Sequence, residues 1–133
     1  MFATSRLPKL TLPMFSRDPL TWQTFWDFFY VSVHANPNLS GIQKFNYLKA
    51  QLQGDAARTI AGLPLTDLNY GHAIALLEDR YGQHHKIAKA HIQAFLEMPA
   101  PSNTLASLRI FYDTVESHIW GLSSLDKIRA IIW

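Results

Sequence analysis

The 133-residue sequence contains no cysteine. That absence removes disulfide frameworks, thiol nucleophiles and every Cys-containing zinc site, zinc knuckles included. No apolar run approaches the roughly 20 residues of a membrane span. The opening MFATSRLPKL lacks the apolar centre of a secretory signal. These absences describe a soluble, intracellular chain, cytoplasmic and without a membrane partner. Charge of one sign is scarce as well: twelve Lys and Arg face ten Asp and Glu, for a net charge of +2. A nucleic-acid reader shows a clustered excess instead. There is no GxGxxG or GxxxxGK run to cradle a nucleotide and no GxSxG elbow to present a nucleophilic serine. No strand-and-turn pattern, fixed-period repeat or low-complexity tract occurs either.

What the sequence has in plenty is apolar and aromatic side chains. Its 48% hydrophobic content suffices to fill the core of one ordinary domain or two very small lobes. The densest stretch is FSRDPLTWQTFWDFFYVSV, residues 15 to 33, where seven of the first sixteen residues are aromatic. At about 100° per residue, Trp22, Phe25, Trp26, Phe29 and Val33 share one helix face, and Leu20, Phe28, Val31 and Ala35 fall roughly opposite. One stripe closes a core. The second needs a partner.

Capping chemistry divides the chain into about six to seven helices behind an extended arm, an all-α fold. In the arm, residues 1 to 17, Pro8 and Pro13 exclude a helix interior, and Leu10, Leu12 and Met14 alternate with polar or proline positions. Asp18 followed by Pro19 is an N-cap with proline at the first helical position, which predicts a helix over about 19–35. Ser40 and Gln43 make a capping box for a second helix, with Ile42, Phe45, Leu48 and Leu52 inward and Gly54 near its end. Asp55 reads as the cap of a short third helix stopped by Gly62. Asn69 reads as the cap of a fourth, closing at Gly82 with Ala73, Ile74, Leu77 and Tyr81 inward. A fifth spans about 84–97. A sixth, about 104–120, stops at Gly121, and Ser124 and Lys127 begin a seventh that reaches Trp133 with no cap, as in a fragment.

Catalytic and metal constellations are thin. In HHKIAKAH, His84 and His91 are seven apart, about 10 Å along a helix axis, whereas a helical two-His site uses residues four apart on one face. Together with Lys86 and Lys89 these histidines read as a solvated basic helix start, which could touch RNA phosphate weakly and without sequence preference. The pairs Glu78 with Asp79 and Asp113 with Glu116 read as exposed helix charges, since a catalytic dyad needs burial to split its pKa values. Trp22, Phe25 and Trp26 could stack single-stranded bases, but Asp18 and Asp27 flank them, so core packing is the simpler use. The residues thus point away from an enzyme and imply no cofactor.

The ordered series LPKLTLPMFSRDPLTWQTFWDFF, NPNLSGIQKFNYLKAQLQGDAARTIAGLPLT and NYGHAIALLEDRYG resembles the Gag-like segment of BEL/Pao long-terminal-repeat retrotransposons. The same words are similar to the wider retrotransposon Gag and Arc capsid family. The resemblance implies a capsid of two small helical lobes: residues 1–82 would be the N-lobe with its arm, and 83–133 the start of an incomplete C-lobe. It implies a structural role, self-assembly into virus-like particles by protein contact. Trp22, Phe25, Trp26, Phe29, Phe45, Leu48, Leu52, Ile74 and Leu77 are then the expected core. Leu20, Phe28 and Val31, with Leu10 and Leu12 of the arm, are the expected interface or groove. As an alternative, the Arc-like resemblance allows a domesticated module that binds hydrophobic peptide segments. The other alternative is weak RNA binding through Lys86 and Lys89.

Overall fold

Helix α1, Pro19–Phe29, starts where the Asp18 carboxylate accepts a hydrogen bond from the Leu20 amide at 3.0 Å, with Pro19 inside the first turn. The structure is a computed structural model that describes the backbone of residues 13–132 and side chains as far as residue 125. The arm expected over 1–17 therefore lies largely outside the described residues. The chain divides into two units, Met1–Gln83 and His84–Trp133. Among the described residues there are six α-helices and no strand beyond an isolated bridge. None of those helices is long and apolar enough to cross a membrane.

In the first unit α1 passes directly into a π-helical turn, Tyr30–His34, so the continuous helix expected to residue 35 changes its winding after Phe29. Wider i→i+5 turns of this kind break the regular backbone ladder. Helix α2, Gly41–Gln51, opens on a complete capping box: Gln43 N–H donates to Ser40 Oγ at 3.1 Å and Ser40 N–H to Gln43 Oε1 at 2.8 Å. Its first turn exposes Ile42, expected inward, since Phe45 and Leu48 set the buried stripe one turn further on.

Helix α3, Gly54–Ile60, begins at the glycine expected to close α2. Gly54 has φ +52°, a left-handed conformation that a residue with a Cβ adopts only at a cost, and it turns the chain between the two helices. Asp55 is not the cap of α3. The first turn is capped by backbone from far away: Phe15 carbonyl accepts from Gln53 N–H at 2.9 Å and Ser16 carbonyl from Ala56 N–H at 2.7 Å. Phe15 N–H in turn donates to the Gln51 carbonyl at 2.9 Å, giving a short parallel bridge between Phe15 and Leu52. Orphan amides of a helix start need a partner, and a passing strand supplies it as well as a side chain does.

Helix α4, Asp67–Leu77, is capped by Thr66, whose Oγ1 accepts from Asn69 N–H at 3.1 Å. Asn69, the expected cap, sits inside the first turn and donates its side-chain amide to the Pro64 carbonyl at 3.0 Å. A second π-helical turn, Glu78–Gly82, follows α4. The core of this unit is built on Phe15, 1% exposed, whose ring lies 5.2 Å from Trp22 and 5.0 Å from Tyr81, both edge-on, and 5.5 Å from Phe25. Such edge-to-face geometry is the favourable arrangement of aromatic quadrupoles. Val33, Phe45, Leu48, Ala56, Ile60, Ala73 and Leu77 complete it, all buried.

The second unit is a hairpin of α5, His84–Glu97, and α6, Leu105–Ile132. The sixth and seventh helices expected from the sequence are one, about 42 Å long at 1.5 Å per residue. Gly121 does not end it. A Cβ on Gly121 would lie 2.4 Å from the His91 ring, so the glycine serves close approach of α5 to α6 rather than termination. His91 Nδ1 meets His118 Nδ1 at 2.8 Å at the same level of the hairpin, beside Phe95.

Candidate assembly surface

The two stripes of α1 and of the π-helical turn that continues it meet different surroundings. Trp22, Phe25, Phe29 and Val33 are buried, as are Phe45, Leu48, Leu52 and Leu77 of the other helices. Trp26 and Ile74, also expected in the core, are only half-buried. Trp26 lies about 100° round the helix from Phe25, which turns it to the rim. There its ring stacks on Trp22 at 5.9 Å and approaches Phe29, Tyr30 and His34 at 6.0, 6.0 and 5.3 Å. Ile74 follows Ala73, which takes the inward position on α4.

The opposite stripe remains open to solvent: Phe28 is 43% and Val31 77% exposed, with Tyr30 beside them also exposed and Leu20 half-buried. Leu10 and Leu12 lie outside the described residues. An apolar helix face held by a closed core behind it is a ready contact surface, because covering it orders nothing further. In the second unit, Lys86 is half-buried and Lys89 exposed on α5. The hairpin there exposes Ile92, Leu96, Leu105, Leu108, Ile110, Tyr112, Ile119 and Trp120, while Ile87 and Leu125 are its buried apolar residues among those described.

At the rim of the first unit, Tyr70 O–H and His34 Nδ1 are 2.8 Å apart. Burial, then the positive charge of Lys44, lowers the pKa of His34, and burial raises that of Tyr70. The hydroxyl therefore keeps its proton and donates, and the neutral imidazole accepts through Nδ1. This is a structural clamp between the π-helical turn after α1 and α4. Among the described residues no three His, Asp or Glu side chains converge as a metal set.

Sequence reasoning missed two features of this unit. Phe15 fell within the arm expected over residues 1–17 and was not among the expected core residues, although an aromatic residue four positions before the proline at a helix start is itself a packing signal. The second is an open cleft of about 530 Å³ lined by Arg17, Asp55, Arg58, Thr59, Arg80 and Tyr81. Its arginines come from three segments and carry no local pattern.

The described residues form two all-α helical units, each of which exposes apolar side chains. Residues 15–131 match the model of the family described as "Protein of unknown function (DUF1759)", and the chain belongs to that family. No curated protein and no solved structure matches it.

Proposed function

We propose that this chain is a structural capsid domain of a retrotransposon Gag polyprotein, working in the cytoplasm by protein contact and not by catalysis. The observation that carries the reading is the two-faced segment of α1 and its π-helical turn, whose Trp22 side closes a core while Phe28 and Val31 stand open on the other side. The BEL/Pao-like order of the sequence words supports it, as does membership of a family matched from Phe15 almost to the end of the chain. In this reading the first unit is the N-lobe and the second begins the C-lobe. The partner of the open stripe is another copy of the chain.

The test is Phe28→Ser combined with Val31→Ser. Val31 is largely and Phe28 partly exposed, so the variant keeps its helical circular-dichroism spectrum and stays folded, with a modestly lowered melting temperature. The expected result is that the wild-type chain self-associates in light scattering and forms particles in electron micrographs, while the double variant stays monomeric at the same concentration. Equal association of the two proteins would overturn the reading. Monomeric wild type that instead binds short apolar peptides at this stripe would favour the peptide-binding alternative.

A further inference from the structure

The arginine-lined cleft of the first unit has no role in the assembly reading. Three segments distant in sequence build it. Arg17 follows the Phe15–Ser16 stretch that is hydrogen-bonded to the start of α3, Arg58 lies on α3 itself, and Arg80 lies on the π-helical turn after α4. Asp55 stands between the first two: its Oδ2 is 3.6 Å from Arg17, and its Oδ1 accepts a hydrogen bond from Arg58. Hydrogen bonding from Arg58, then the charge of Arg58, with Arg17 adding to both effects, holds the Asp55 pKa below its ordinary value. The carboxylate is therefore ionised at neutral pH. Arg80 is fixed from the other side, donating from Nη1 to Thr59 Oγ1 at 3.2 Å, while that hydroxyl donates to the Asp55 carbonyl at 2.8 Å.

Three guanidiniums against one carboxylate give the lining of one concave spot an excess of two positive charges. That equals the formal net charge of the whole chain. Like charges gathered in this way repel, and a cluster that serves only folding would carry a matching set of acids. Asp55 is the acid of this lining, and it is shared between Arg17 and Arg58. Guanidinium is also the cation whose planar fork matches phosphate oxygens in pairs, and each of these has donors beyond the bonds described. A cleft of about 530 Å³ is in the range of small-ligand sites.

We propose that the cleft formed by Arg17, Arg58 and Arg80 binds a compact phosphate anion of at least two negative charges, with a polyphosphate chain as its chemical type. A nucleic-acid strand fits less well. It needs positive charge continued along the surface and rings on which bases stack. The ring in this lining, Tyr81, is 6% exposed and occupied with Phe15.

The experiment is calorimetric titration of the full chain with sodium tripolyphosphate, with orthophosphate and oligouridylate as parallel titrants. Expected is saturable binding of tripolyphosphate, tighter than orthophosphate and weakening as salt rises. Arg80→Gln should lower the affinity about tenfold, the loss of one charge-assisted pair of hydrogen bonds. Arg17→Gln, at a side chain 75% exposed and so harmless to folding, should do the same. Asp55→Asn should strengthen binding by removing the competing carboxylate. Absence of binding, affinity unchanged in Arg17→Gln, or weaker binding in Asp55→Asn would overturn the proposal. So would oligouridylate binding more tightly than tripolyphosphate and gaining with strand length, which would make the cleft part of a nucleic-acid track.

Discussion

Replacing Phe15 by Ala tests whether the first unit is held by the aromatic hub or by α1 alone. The ring is 1% exposed and touches Trp22, Phe25 and Tyr81, so nothing of its burial is recovered from solvent after truncation. A buried Phe→Ala change costs about 3–5 kcal/mol from lost transfer energy and the cavity left behind. A unit of this size has a total stability on the order of 4–12 kcal/mol. At about 4–8 °C per kcal/mol for such a domain, the melting temperature should fall by at least about 12 °C. The backbone hydrogen bonds of Phe15 to Gln51 and Gln53 survive the substitution, so the loss reports on the ring. Trp26→Ala is the internal control. Its half-exposed ring at the rim should cost about half as much despite its larger size. The assay is thermal and urea unfolding followed by circular dichroism. A Phe15→Ala cost below about 1 kcal/mol, or a greater loss in Trp26→Ala than in Phe15→Ala, would refute the assignment of the hub.

Three further expectations follow from particular residues. Gly121→Ala, which in an ordinary helix interior would stabilise by about 1 kcal/mol, should instead destabilise the α5–α6 hairpin by about 1–3 kcal/mol, because the new methyl meets the His91 ring. A raised melting temperature would remove the close-approach argument. Thr66→Ala should cost about 1 kcal/mol as the lost cap of α4, more than Asn69→Ala, and urea midpoints of the two variants decide between the caps. His34 has a folded-state pKa below its ordinary 6.5, so the unfolded chain binds its proton first. Its contribution to stability should be complete above pH 6.5 and decline as pH falls from there through the lowered pKa. Denaturation midpoints of wild type and His34→Gln across that window, with imidazole shifts followed by NMR, check the sign: a wild-type midpoint that rises on acidification relative to the variant would contradict it.

The sequence by itself determined those features whose cause lies within one or two helical turns. Asp18 with Pro19, and Ser40 with Gln43, are hydrogen-bonding devices of three or four consecutive residues, and both act where the pattern places them. The buried stripe of α1 is likewise a matter of angular spacing, and Trp22, Phe25, Phe29 and Val33 occupy it. Tertiary structure decided whatever depends on a residue far along the chain. Nothing near Gln53 announces that α3 would be capped by the carbonyls of Phe15 and Ser16, because those atoms belong to a segment nearly forty residues earlier. Gly121 looks like a helix stop until the His91 ring of the neighbouring helix is in place, since the same missing Cβ serves both termination and close approach. Trp26 could be assigned to the inward stripe by angle alone, yet the rim of a small core is set by how far the partner helices extend, and they leave its ring half open. The arginines of the cleft were the least legible of all: Arg17, Arg58 and Arg80 are unremarkable one at a time, and only the folding of three segments onto one another concentrates their charge.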